Sequence, residues 1–480
     1  MTRRTHARLT VAALSTVLLS NSAFAQVSGT WSVAGSGNWS TAGNWTGGVP
    51  NAGGAATFGS PPATGPVTVT LDIGPTLSGL TFNGTNAYTI AGVNPLNLTL
   101  PRTITVNAGT HTISAPLGGS NGLTKAGVGT LVLNGNSTIF TGNTAVNAGV
   151  LRVATSDSLG PAGPNNQLGM AFGGSVELNS GVNLGTRSVT FASSAASTPT
   201  GALRSLTGPT SSGGAWYLLA GSSVGVDAGS TLKHTGDLID NSAGVSSGLT
   251  KVGAGTLVVN RFGGVNVPSG GGSVQQPLSN LAISAGVARV APATGGANSN
   301  ASRVKGLLIS GGALLDLTDG PLVYDYTGAS PITTVRDDLK AGRLTSSMLP
   351  AGVSLGFSEV SGLSGFTGTV AGQTGVDPTA LVVKRTRSGD ANLDGAVNFS
   401  DLLVLAANYN TGSAVWSGGD FDYDGTVNFS DLLVLAANYN QSFASGALAV
   451  DWAAARSSVP EPASALIAGL TVLCLRRRGR

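Results

Sequence analysis

Two stretches of the chain carry the same alternation of apolar and polar positions. Gly122-Leu-Thr-Lys-Ala-Gly-Val-Gly-Thr-Leu-Val-Leu-Asn134 recurs as Gly248-Leu-Thr-Lys-Val-Gly-Ala-Gly-Thr-Leu-Val-Val-Asn260, identical at 10 of 13 positions. Each copy is followed by a second strand-like half, Thr144-Ala-Val-Asn-Ala-Gly-Val-Leu-Arg-Val153 and Leu281-Ala-Ile-Ser-Ala-Gly-Val-Ala-Arg-Val290. The alternation puts Leu131 with Leu133, and Leu151 with Val153, on one face. Gly127 and Gly129 fall between the predicted strands, where a positive φ costs glycine little. One such unit cannot bury its apolar face alone, whereas stacked units share a continuous core. The halves start 22 residues apart in the first copy and 33 in the second. The extra residues, around Val267 to Gln276, read as a Gly/Ser/Pro-rich surface loop. Diverged units such as Leu307 to Leu317 fill in between.

These residues resemble the autotransporter-associated β-strand repeat. The resemblance implies a mainly β fold, a right-handed parallel β-solenoid (β-helix), here over residues 26–383. It implies the passenger architecture only, since no alternating membrane-barrel strands follow. Ahead of the repeats stand Trp31, Trp39 and Trp45. They either cap the open end of the first coil or stack on sugar rings, and the cap is the preferred reading.

Composition sharpens this. Glycine accounts for 72 of 480 residues, only 10% are charged, and there is one cysteine. The pI of about 9.1 suggests an anionic partner. Yet seven of the 25 basic residues lie in the tails, leaving 18 against 22 acids between them, a net −4. Nucleic-acid binding loses its main support.

Both tails read as addresses. Arg3, Arg4 and Arg8, the apolar run Leu9–Leu19 and Ala23-Phe24-Ala25 form a secretory signal peptide over 1–25. At the other end, Val459-Pro460-Glu461-Pro462 precedes 13 mostly apolar residues and Arg476-Arg477-Arg478. A run of ~20 Å is short for a hydrocarbon core of ~30 Å. Residues 459–480 resemble a PEP-CTERM sorting signal. That implies an exosortase as processing enzyme, membrane contact only through this segment, and a place at the cell surface, on the outer membrane or in the extracellular matrix of a Gram-negative-type bacterium. Cys474 lies inside this segment, so the exported body has no disulfide.

Catalytic chemistry is thin. Past the leader only His111 and His234 remain, each expected on a strand surface, with no triad pattern. Glycoside hydrolysis needs two facing carboxylates, and the only glutamates are Glu177, Glu359 and Glu461. Asp237 and Asp240 are weakly placed for catalysis. Thr334-x-x-Asp337, followed by Asp338, reads as a helix start.

Residues 388–440 hold seven aspartates and no Lys or Arg, a density that repels itself unless cations are bound. Asp390, Asn392, Asp394, Asn398 and Asp401 place oxygen side chains at positions 1, 3, 5, 9 and 12 of a calcium loop. Gly395 stands at position 6, and Ala396 offers a backbone carbonyl at position 7. Thirty residues on, Asp420, Asp422, Asp424, Thr426, Asn428 and Asp431 repeat the arrangement. All-oxygen ligation favours Ca²⁺, two ions in all. The exiting segments, Leu402–Tyr409 and Leu432–Tyr439, are identical, with Leu402, Leu405, Ala406 and Tyr409 on one stripe. Asp at position 12, and no entering helix, make the segment resemble a type I dockerin, a small all-α pair of EF-hand-type loops. That implies a cohesin-like or polysaccharide partner, with Phe399-Ser400 and Phe429-Ser430 at the contact positions; a calcium-stapled spacer is the alternative. Residues 441–458 read as a linker. The sum is a non-enzymatic exported surface or matrix protein; the alternative is a carbohydrate-active or polysaccharide-degradation-associated protein.

Overall fold

The computed structural model describes residues 25–442 apart from 60–64, 164, 193–199, 220, 242–247, 270–271, 295–297 and 413. Most of the leader, all of the sorting tail with Cys474, and nearly all of the linker lie outside the described residues. The body is a parallel β-solenoid of the right-handed type, about 11 turns long. Two sheets of 12 strands run along it, and a third of six strands joins from residue 209 onward. The cross-section therefore changes from two-sided to three-sided partway along. Side chains alternate in and out of the coil, and the inward set (Leu123, Leu131, Leu133, Leu151, Val153 among them) is fully buried.

The first repeat puts Leu123–Ala126 in the first sheet and Thr130–Leu133 in the second, around a corner at Gly127 with φ 75°. Its second half stacks directly on it, Leu123 opposite Thr144 and Leu131 opposite Leu151. The second copy keeps the strand–corner–strand form but sits elsewhere. Gly248–Val252 lies in the second sheet and Thr256–Val259 in the third. The motif specifies a corner and not a face. Gly129 is not at positive φ; a Cβ there would stand 2.9 Å from the Gly109 carbonyl oxygen, so it is needed for close approach of coils.

Three expectations are corrected. Residues 265–269 and 272–276 pair as an antiparallel hairpin where a loop was expected. His111 and His234 are not on the surface. They occupy inward registers, opposite Leu131 and Val259, and are 1% and 0% exposed. His111 lies on Phe82 and His234 on Trp216, with ring centroids 4.3 and 3.9 Å apart. Burial pushes His234 down to about 4, so it is neutral at physiological pH. Helix α1 spans Ile332–Lys340 with Pro331 at its N-cap, so Asp337 and Asp338 lie in its last turns. There they accept from Arg336 and Arg343 (2.9 and 2.6 Å) instead of capping a start.

The tryptophans close the N-terminal end. Trp31 and Trp39 are wholly buried and Trp45 nearly so, with Trp45 edge-on to both other tryptophans and to Phe58. Trp39 Nε1 donates to the Pro50 carbonyl (3.1 Å) and Trp45 Nε1 to that of Trp39 (2.7 Å). No face is free for a sugar. Trp39→Phe loses a buried hydrogen bond and ring volume, a cost of about 1–2 kcal/mol. Faster hydrogen exchange confined to residues 29–58 is the expected readout; an unchanged first coil would contradict the cap.

At the other end a mixed sheet turns the chain. Strand 381–387 runs antiparallel to both 322–324 and 353–359, and 353–359 is the sheet edge. The last described segment packs against that edge, and its apolar side chains belong to the same continuous core.

Candidate metal centre

Helices α2 (Phe399–Ala407) and α3 (Phe429–Asn438) each follow one acidic loop. Both open on the same capping box. Asn398 and Asn428 side chains accept from the amides of Ser400 and Ser430 (2.8 and 2.7 Å). Asp401 and Asp431 reach back to the Asn398 and Asn428 amides (both 2.9 Å). The two units are tied crosswise. Val397 N donates to Gln441 O (3.0 Å), and Val427 N to Thr411 O (3.1 Å). Gly389 and Gly419, just before each loop, are both at positive φ and face Leu435 and Leu405 of the opposite helix.

Each loop wraps backbone amides around its acids. Asp390 Oδ2 accepts from Gly395 N (2.8 Å), and Asp420 Oδ2 from Gly425 N (3.0 Å). Asp401 Oδ1 accepts from Ala391 N (2.9 Å), and Asp431 Oδ1 from Phe421 N (2.7 Å). Asp394 accepts from Ala396 N, and Asp424 from both Thr426 N and its hydroxyl. Asn392 and Asn428 donate their side-chain amides to Asp394 and Asp424. Gly395 and Gly425 (φ 94° and 90°) make the sharp turn at position 6.

Asp390, Asp401, Asp420 and Asp431 are all 0% exposed. Burial raises each carboxyl, Asp401 to about 6 and Asp420 to about 7, and neighbouring carboxylates push the same way. Asp420 Oδ1 is buried without a hydrogen-bond partner. Oxygens of Asp420, Asp422 and Asp431 lie within 4.8 Å of one another. Buried anions, an orphan oxygen and convergent carboxylates fit a hard divalent cation. In the first loop Asn392 stands where the second has Asp422, so that loop converges fewer charged oxygens.

The helix stripe is partly as expected. Leu402 and Leu405 are buried, whereas Tyr409 is 38% exposed; Leu403, Phe429 and Leu433 also face outward. The sequence reading missed the residues that seat the module, Leu393, Trp416 and Tyr423. They are non-ligand positions, and only Trp416, a lone tryptophan in a polar linker, offered a signal.

The other acids are tied into the frame. Glu177 joins Arg152 and Arg204 (2.7 and 3.2 Å), and Asp237 pairs with Arg261 (3.2 Å). Asp240 accepts from Ser279 N (2.8 Å), and Glu359 from Tyr326 and Ser330. A cleft of about 670 Å³ beside residues 303–305 holds Arg303 and Asp325. They are locked together at 2.6 Å, and Arg303 also donates to the carbonyls of Thr374 and Gly375. Among the described residues no helix is long and apolar enough to cross a membrane.

The family model described as Passenger-associated-transport-repeat matches residues 123–153, the first repeat with its stacked second half. No curated protein and no solved structure matches the chain. Repeat and solenoid together make this chain similar to an autotransporter-passenger-type repeat protein, which suggests an exported surface protein.

Proposed function

We propose that the chain is a non-catalytic surface or matrix scaffold. In it the β-solenoid is the extended body, and residues 388–440 are a dockerin-like module holding two calcium ions. The observation that carries this is the pair of loops burying four carboxylates, one with an orphan oxygen. Asp390, Asn392, Asp394, Ala396, Asn398 and Asp401 would hold one ion. Asp420, Asp422, Asp424, Thr426, Asn428 and Asp431 would hold the other. Calcium would supply the staple that an exported body without disulfides otherwise lacks. Outward-facing Leu403, Phe429 and Leu433 would present the module to a cohesin-like partner. Residues 459–480 would deliver the protein to the cell envelope through exosortase processing. Calorimetric titration of the chain from Gln26 onward with calcium chloride should count two sites. A count of one, or no binding heat, would sink the calcium reading.

A further inference from the structure

We propose that calcium in these loops closes the C-terminal end of the solenoid, so that the module is the metal-dependent counterpart of the tryptophan cap. This rests on the calcium reading above and adds a coupling to it. The edge strand 353–359 would otherwise expose its outer side to solvent. Instead it is covered by position 4 of both loops, a position that holds no metal ligand.

Leu393, position 4 of the first loop, has φ 58° and is only 4% exposed; Tyr423, its equivalent, has φ 62°. The left-handed backbone aims both side chains away from the loop interior and toward the strand. Tyr423 donates its hydroxyl to the Leu355 carbonyl (3.0 Å) on the edge strand and faces Phe357. Leu393 and Trp416 sit over Gly356. A Cβ at Gly356 would stand 2.5 Å from Leu393 Cδ2 and 2.8 Å from Trp416 Nε1.

Trp416 joins the two loops. Its Nε1 donates to the carbonyl of Asp390 (2.6 Å), position 1 of the first loop. Its ring stacks on Tyr423 and meets Phe421 of the second loop. From the solenoid side Lys384 donates to the Leu393 carbonyl (2.7 Å), and Arg336 of α1 to that of Ala414 (3.1 Å). A loop ordered by its cation therefore fixes position 4, and position 4 fixes the strand edge.

Hydrogen exchange of the chain from Gln26 onward, in calcium chloride against EGTA, reads this directly. Calcium should slow exchange in 353–359 and 381–387 by tenfold or more, alongside residues 388–442. Gly356→Val should unseat the module. Calcium would then still slow 388–442, while the strand response shrinks to within about twofold. Tyr423→Phe keeps the apolar seat but loses the bond to Leu355, and should give an intermediate strand response if the valine variant does not fold. Strand exchange indifferent to calcium in the wild type, or a full strand response in both variants, overturns the coupling. Calorimetry on the same samples separates the cases. Calcium heat without a strand response removes the coupling alone, whereas no heat removes the calcium reading and this inference with it.

Discussion

In EGTA the C-terminal module should lose stability as pH rises from 5 to 8, and calcium should reverse that trend. The sign follows from the buried acids. Burial and neighbouring carboxylates raise Asp420 to about 7 and Asp401 to about 6, from an ordinary 3.8. Between roughly pH 4 and 7 the folded module therefore binds more protons than the unfolded chain, and its stability falls as pH rises through that window. At about 1.4 kcal/mol per pKa unit, Asp420 with the carboxylates of Asp422, Asp424 and Asp431 around it ionised costs on the order of 4 kcal/mol by pH 8. Asp401 costs on the order of 3 kcal/mol if it acts independently of Asp390, which shares its site. No Lys, Arg or His lies within 388–440; Lys384, Arg336 and Lys340 reach the module from outside, donating to the backbone carbonyls of Leu393, Ala414 and Asp424. A bound dication displaces the protons, so its affinity rises with pH and the loaded module is most stable where the stripped one is least. Exchange protection of 399–407 and 429–438 at pH 5, 6, 7 and 8, corrected for the intrinsic rate, checks both halves. A stripped module firmer at pH 8 than at pH 5 would show that the four acids are not held as the structure has them.

The features legible in the sequence are those set by short-range spacing. Leu131 and Leu133 two apart, or Asp390, Asn392 and Asp394 around one glycine turn, constrain one another through local backbone geometry. The solenoid and the two acidic loops were readable for that reason. What escaped is fixed by which coil lies above which. Nothing local to His111 marks it as inward; the stacking does, since Leu131 lies in register with it one coil later. Its ring pays for burial through stacking on Phe82 and hydrogen bonds with Ala108 and Gly84. The 265–276 hairpin has a loop's composition yet supplies its own partner strand. At the candidate metal centre the expected ligand positions follow from spacing within one loop. The seat formed by Leu393, Trp416 and Tyr423 depends on Gly356, more than 30 residues away in sequence. No periodicity encodes that contact.

Lys125→Met should open the first repeat by about 3 kcal/mol, and Lys251→Met the second by a similar amount. The repeated lysine shares the inward register of Leu123 and Leu249, and both copies are 0% exposed. Lys125 Nζ donates to the carbonyls of Ala126, Gly127 and Ala148 at 2.9, 2.7 and 3.1 Å. Lys251 Nζ does the same with Gly253, Gly255 and Ala285, the last at 3.0 Å. Each ammonium closes its own corner and ties it to the next coil, since Ala148 and Ala285 belong to the stacked second halves. Methionine keeps the length and apolar stem but offers no donor, leaving three part-buried carbonyls without their protein partner at about 1 kcal/mol each. Burial lowers both ammonium groups to about 8, against 10.5 in the unfolded chain. Between those values the unfolded chain binds the extra proton, so the wild type gains stability with rising pH and the methionine variants do not. The gap should therefore widen from pH 8 to 10.5, because a neutral amine still donates two hydrogens without the cost of a buried charge. Denaturant-dependent exchange of 123–133 and 248–259 measures each site separately. Losses below 1 kcal/mol would make the lysine a passenger of the motif. Equal losses in copies lying on different sheets would show that the repeat encodes the corner itself, since the ammonium and its three carbonyls are what the two corners share.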